Sequence, residues 1–329
     1  MPDDQPILDP PEQEPPSSGQ PEPNVPFLAT PPRTGVFLGA GGVRAGWRLL
    51  IFVALLMGCM FSWGLILRLM HYSPQSFRNA MALADALLFG SGLIASGIMG
   101  RFEKHSWADY GLPLRGPWMA RFWEGSVWGL VSLSILLLML RVNGNIDFGT
   151  VTFAGVAMAR SAVLWGVGFL LVGLAEEYIF RGYPLFTLTT GMGFWPAALV
   201  LSVLFGLVHI DNPGESWMGA VTAGLIGLFF CLTLRRTGSL WFAIGAHTAW
   251  DWAETFLYGV PNSGQVAPGH LFSPRFHGSR WLTGGSVGPE GSVLAVVVVA
   301  LMFVAFHFRF RPEFTTEDTE GNPQETFSR

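Results

Sequence analysis

The sequence predicts an all-α, polytopic membrane protein of about eight transmembrane helices enclosing a buried polar cavity. Half of its 329 residues are hydrophobic and 13% are charged, more apolar surface than a soluble fold absorbs. Apolar stretches of about 20 residues recur along the chain. At a rise of about 1.5 Å per residue, each can cross a hydrocarbon core of about 30 Å. The third observation is a set of ionisable side chains, Glu176, Glu177, Arg181, His209, His247 and Asp251, set inside such stretches in the second half.

Residues 1–35 are too rich in Pro, Gln and Glu to bury a core and read as a disordered cytoplasmic tail. They lack the charged-then-apolar start of a signal peptide, so the first span does the targeting. The transmembrane domain covers 36–311, with spans expected at 46–69, 80–100, 119–140, 155–188, 195–211, 216–234, 239–258 and 291–308. Residues 312–329 form a second disordered cytoplasmic tail. Between the last two spans, the Gly-, Pro- and Ser-rich stretch 259–290 is a lid or a solvated connection, and the second is the simpler reading. Its His270 and His277 have no partner at metal-ligand spacing.

Much of the formal charge of −4 comes from tail acids such as Asp3, Asp4, Glu12 and Glu317, Asp318, Glu320. No basic run with interleaved aromatics occurs, which excludes nucleic-acid binding; the lipid bilayer is the expected partner. Arg44, Arg48, Arg101, Lys104, Arg115, Arg121, Arg235, Arg236 and Arg309 fall on one side of an alternating topology. The positive-inside rule therefore puts both termini in the cytoplasm of a multi-pass protein, in the plasma membrane or a bacterial inner membrane. Cys59 and Cys231 lie within apolar segments and read as buried free thiols.

The fourth span carries Glu176, Glu177 and Arg181 in the run GLAEEYIFRGYPLF, where each ionisable group costs roughly 2.5–3.5 kcal/mol to insert. Glu177 and Arg181 are spaced i,i+4 and can pair on one face. Glu176 then points about 100° away, free for chemistry. The plainer alternative is that both acids share Arg181 as a structural ion pair. The fifth span adds His209, with Phe205 one turn earlier. If the two spans form an antiparallel hairpin at Gly191 and Gly193, Glu176 and His209 stand at the same depth to within about one 1.5 Å step. A histidine level with a free glutamate suits an acid/base pair or a metal site better than a lone core histidine does.

The seventh span places His247 and Asp251 on one face, with Glu254 a further turn along. By residue counting His247 lies about 10 Å short of the depth of His209. Asp251 reads as a carboxylate that orients His247. Asp85 and Glu124 are intramembrane acids for which no same-face partner is evident in their own helices, and they are left outside the set.

Glu176-Glu177-x-x-x-Arg181, then Phe205-x-x-x-His209, then His247-x-x-x-Asp251 after GSLWFAIGAH resembles the CAAX-processing and bacteriocin-processing (CPBP, or Abi) family of intramembrane proteases. The resemblance covers about 158–255, and the upstream DYGLPLRGPWMARFWEG segment also looks like the family. It implies an intramembrane endopeptidase acting on a peptide or a lipidated protein tail. Glu176 would be the general base on a water that His209 helps to position, and His247 with its partner at 251 would stabilise the oxyanion. Glu177, Arg181 and Phe205 would support them. A metalloprotease reading of the same resemblance makes Glu176, His209 and His247 ligands of a Zn²⁺. The sequence departs from the family at 251, where Asn is usual: an ionised Asp cannot donate to an oxyanion. Two other classes fit the polar set, a proton- or cation-coupled transporter and a non-catalytic membrane scaffold. No internal repeat of the transporter kind is evident.

Overall fold

The computed structural model describes residues 36–39, 42–152, 154–212 and 214–310; both predicted tails, 1–35 and 312–329, lie outside the described residues. Chain contacts divide it into Met1–Gly42 and Val43–Arg329. Within the first unit, Leu38–Gly39 is extended. The second unit holds the helices α1 (Ala45–Leu69), α2 (Phe77–Glu103), α3 (Trp118–Val142), α4 (Gly155–Arg181), α5 (Tyr183–Met192), α6 (Phe194–His209), α7 (Trp217–Thr237), α8 (Trp241–Trp252), α9 (Arg280–Thr283) and α10 (Val293–Arg309). A π-helical turn, Ala253–Tyr258, prolongs α8.

The all-α membrane architecture is as predicted. α1, α2, α3, α7 and the α4–α5 segment Gly155–Met192 are long and apolar enough to cross a membrane. The other three expected spans are shorter: α6 has 16 residues, α10 has 17 and α8 has 12. Apolar side chains spaced four apart on α1, Met57, Phe61 and Leu65, are exposed, as a lipid-facing stripe requires. The C-terminal end of α2 and the first turn of α1 meet at Glu103, which accepts from both Arg48 Nε (2.8 Å) and Nη2 (2.7 Å) and from the hydroxyls of Tyr183 (2.6 Å) and Tyr110 (3.2 Å). Burying this carboxylate is tolerable because both its oxygens are satisfied.

Two expectations about boundaries are corrected. The single span expected at 155–188 is broken at Gly182 (φ −80°, ψ −126°), beside a helix start that carries Pro184 in its first turn. Proline lacks the amide proton a continuous helix would need there. The turn expected at Gly191 and Gly193 is present: Gly193 takes φ +82°, which glycine tolerates, and α6 begins at Phe194. The 259–290 stretch is also more than a solvated connection. Val260, Ala267 and Val287 are buried, and Arg275–Phe276 pairs antiparallel with Ile146–Asp147.

α3 and α8 pack closest of all, because both carry small residues at the crossing. A Cβ on Gly125 or Gly129 would collide with the carbonyl oxygens of Phe242 and Ala246, and one on Gly245 with that of Phe122. Ala246 immediately precedes His247, so this contact sets the position of the histidine. Gly129→Ala is therefore expected to destabilise the bundle by about 1–3 kcal/mol, the usual cost of overpacking, and to lower the thermal midpoint in detergent. An unchanged midpoint would show that the α3–α8 contact is slack.

Candidate active site

α2, α4, α6, α7, α8 and the 259–291 segment enclose a cavity of about 290 Å³, and Glu176, His209, His247 and Asp251 all line it. Four residues from three helices, separated by up to 75 positions in sequence (Glu176 to Asp251), thus share one cavity.

On α4, Arg181 Nη1 donates to Glu177 Oε1 at 3.1 Å, and both side chains are fully buried. The i,i+4 spacing predicts that pair. The Arg181 guanidinium lies 4.0 Å from the centroid of the Phe205 ring, a cation–π contact out of water. Gly227 on α7 makes the space, since a Cβ there would collide with Arg181 Nη2. Phe205 also stands 4.6 Å from the His209 ring and 6.4 Å from that of His247, so one aromatic side chain spaces the cation and both histidines.

Glu176 faces the cavity with 27% of its side chain exposed, against 0% for Glu177. Its Oε2 has no hydrogen-bond partner. One helical position therefore separates a carboxylate held in an ion pair from one open to the cavity.

His209 lies at the end of α6, and its Nδ1 is 2.7 Å from the Phe205 carbonyl oxygen. A carbonyl only accepts, so Nδ1 carries the proton and Nε2 remains the nitrogen for chemistry. His247 Nδ1 is 2.9 Å from Glu177 Oε1, while its Nε2 is 3.5 Å from Asp251 Oδ2 and 3.8 Å from Glu176 Oε2. Phe230 stacks on the ring at 5.9 Å. Despite the difference of about 10 Å in depth expected from residue counting, His209 and His247 line the same cavity, with Phe205 beside both rings. α8 begins just after a completely buried Leu240, whose N–H bonds to Gly111 O at 2.8 Å.

Glu176, His209 and His247 do not form a ligand set. Among the described residues, the three-member group with ligand atoms within 4.8 Å of one another is Asp251, Glu254 and Glu290. Glu176, His209 and His247 are not members of that group.

Sequence reasoning missed several lining residues. Asp85 of α2 reaches the same cavity, as do Glu215 and Glu290. Asp85 was visible as an intramembrane acid, but its partners lie on other helices. Glu124 does have a partner in its own helix, Arg121 at 2.7 Å, one turn earlier. Burial pushes the Glu215 carboxyl up, against a hydrogen bond from the Ser216 N–H. Burial, then the Asp251 and Glu215 charges, push Glu290 up.

Comparison with curated proteins and with solved structures gave no match. Residues 158–253 match the family model described as type II CAAX prenyl endopeptidase Rce1-like. That segment runs from α4 into the π-helical turn and contains all of Glu176, Glu177, Arg181, Phe205, His209, His247 and Asp251. Over this segment, under a third of the chain, the protein is similar to the Rce1-like family, consistent with the CPBP family that its three motifs resemble.

Proposed function

We propose that the protein is an intramembrane endopeptidase that hydrolyses a peptide bond in a membrane-associated peptide or lipidated protein tail, using a glutamate-activated water. The observation that carries this is the contrast on α4: Glu177 is locked to Arg181 and His247, whereas Glu176, one residue away, faces the cavity with an unpartnered oxygen.

A water between Glu176 and His209 Nε2 gives its proton to Glu176 as its oxygen attacks the scissile carbonyl carbon. Negative charge moves to the carbonyl oxygen. A His247 ring that donates from Nδ1 to Glu177 can also donate from Nε2 into the cavity, where this charge develops. The C–N bond then breaks, and Glu176 returns its proton to the leaving amine. Glu177 and Arg181 hold His247 in place, and Phe205 sets the spacing of the rings. The family-model match over 158–253 and the apolar helices support a membrane setting; termini in the cytoplasm follow from the arginine distribution alone.

The test is purified protein in lipid nanodiscs with a farnesylated peptide ending in Cys-a-a-X and its unmodified counterpart, followed by mass spectrometry. Release of the a-a-X tripeptide is expected. No cleavage of either peptide, together with pH-driven flux in proteoliposomes, would replace this reading with a transporter. Position 251 is tested in the same assay. Asp251→Asn turns an acceptor beside His247 Nε2 into a side chain that can donate, so a several-fold rise in kcat at unchanged KM is expected. A fall of tenfold or more would show that the negative charge itself is required.

A further inference from the structure

Where the end of α8 meets the segment before α10, two carboxylates of the cavity wall, Asp251 and Glu290, lie against a third that is buried behind them, Glu254. Asp251 comes from α8, Glu254 from the π-helical turn, and Glu290 from the residues that precede α10. Each offers an oxygen within 4.8 Å of the others. Glu290 is firmly held. Trp250 Nε1 donates to Oε1 at 2.9 Å, and the Ser263 N–H and Oγ–H reach Oε2 at 3.3 and 3.2 Å. Asp251 faces His247 through Oδ2.

Glu254 is different. Its side chain is completely buried, it points into this cluster, and neither of its oxygens has a hydrogen-bond partner. An ionised carboxylate with no donor, facing two more carboxylates, is costly unless a positive charge lies among them. No lysine, arginine or histidine pairs with it among the described residues.

We infer that Asp251, Glu254 and Glu290 bind a hard divalent cation of the size of Ca²⁺, which ties the end of α8 to the segment before α10. The all-oxygen donor set suits Ca²⁺, Mn²⁺ or Mg²⁺ rather than Zn²⁺. Spacing enters as an upper bound of 4.8 Å, which Ca²⁺ meets without strain. Oxygens at about 2.3–2.6 Å from one Ca²⁺ stand up to about 5 Å apart, whereas those on Mg²⁺ at about 2.0–2.1 Å reach only about 4.2 Å. The separations here, bounded by 4.8 Å, accommodate the larger ion. The cavity supplies the remaining positions of the coordination sphere as water. This site adjoins the proposed active site through Asp251, which also faces His247, and it stands whether or not the protein is a hydrolase.

The competing arrangement is a proton shared between Glu254 and Glu290, and a binding experiment separates the two. Full-length protein in detergent is stripped with chelator, desalted, and unfolded thermally with no divalent ion, with Ca²⁺ and with Mg²⁺. Ca²⁺ is expected to raise the midpoint by several degrees in a saturable way and Mg²⁺ by less. Equilibrium dialysis with labelled Ca²⁺ should count one ion per chain. Glu254→Gln and Glu290→Gln should each abolish both signals. Each removes one of three like charges, so the chelated variants should unfold no lower than chelated wild type, which separates lost binding from lost folding. No Ca²⁺ effect in wild type, or an equal effect in Glu254→Gln, overturns the cation and leaves the shared proton.

Discussion

Glu176→Ala is expected to abolish peptide hydrolysis, with a fall in kcat of at least about 10²–10⁴-fold, while the protein purifies in the same yield and unfolds at the same temperature or slightly higher. The split between activity and stability follows from the environment of the side chain. Glu176 Oε2 has no hydrogen-bond partner, and the carboxylate is partly open to the cavity. Removing it strands no donor and relieves repulsion with Asp85 and Asp251, which line the same space. Glu176→Gln should be as inactive, because an amide keeps the shape but cannot accept the proton of the attacking water. Full hydrolysis by either variant would remove Glu176 from the chemistry. A role confined to membrane scaffolding requires instead that the wild type cleave nothing.

What could be read from the sequence was what depends on a single helix. Apolar length located the helices, and the i,i+4 spacing of Glu177 and Arg181 identified the buried pair. Relations between helices were less accessible. His247 looked too shallow by residue counting, whereas it lines the same cavity as His209. Asp85 was set aside for lacking a partner on its own helix, although the residues it faces across the cavity come from α4 and α8. The loop residues at 260–290 read as solvated because Gly, Pro and Ser dominate them. In the structure Val260 and Val287 are buried and Trp250 donates to Glu290, a contact of high sequence separation that no local pattern encodes.

Arg181→Met is expected to be the most destabilising single change in the site and to lose activity as a consequence. Removing one member of a buried pair usually costs about 3–5 kcal/mol, because the partner charge is left in a low-dielectric setting. Here both side chains are fully buried, so solvent cannot screen the loss. Two details place the cost near the lower end of that range. Arg181 Nε and Nη2 lack partners already, and their removal returns part of a standing penalty; Glu177 Oε1 keeps its contact with His247 Nδ1 at 2.9 Å. The double variant Glu177→Gln/Arg181→Met removes both charges and should recover most of the lost stability in an SDS titration. Activity should not return with it. A glutamine at 177 holds the His247 Nδ1–H through a neutral oxygen, which weakens support for the charged ring that the oxyanion needs. Recovery of both stability and hydrolysis in the double variant would show that the pair only fills space. Recovery of stability alone would show that Glu177 and Arg181 position His247.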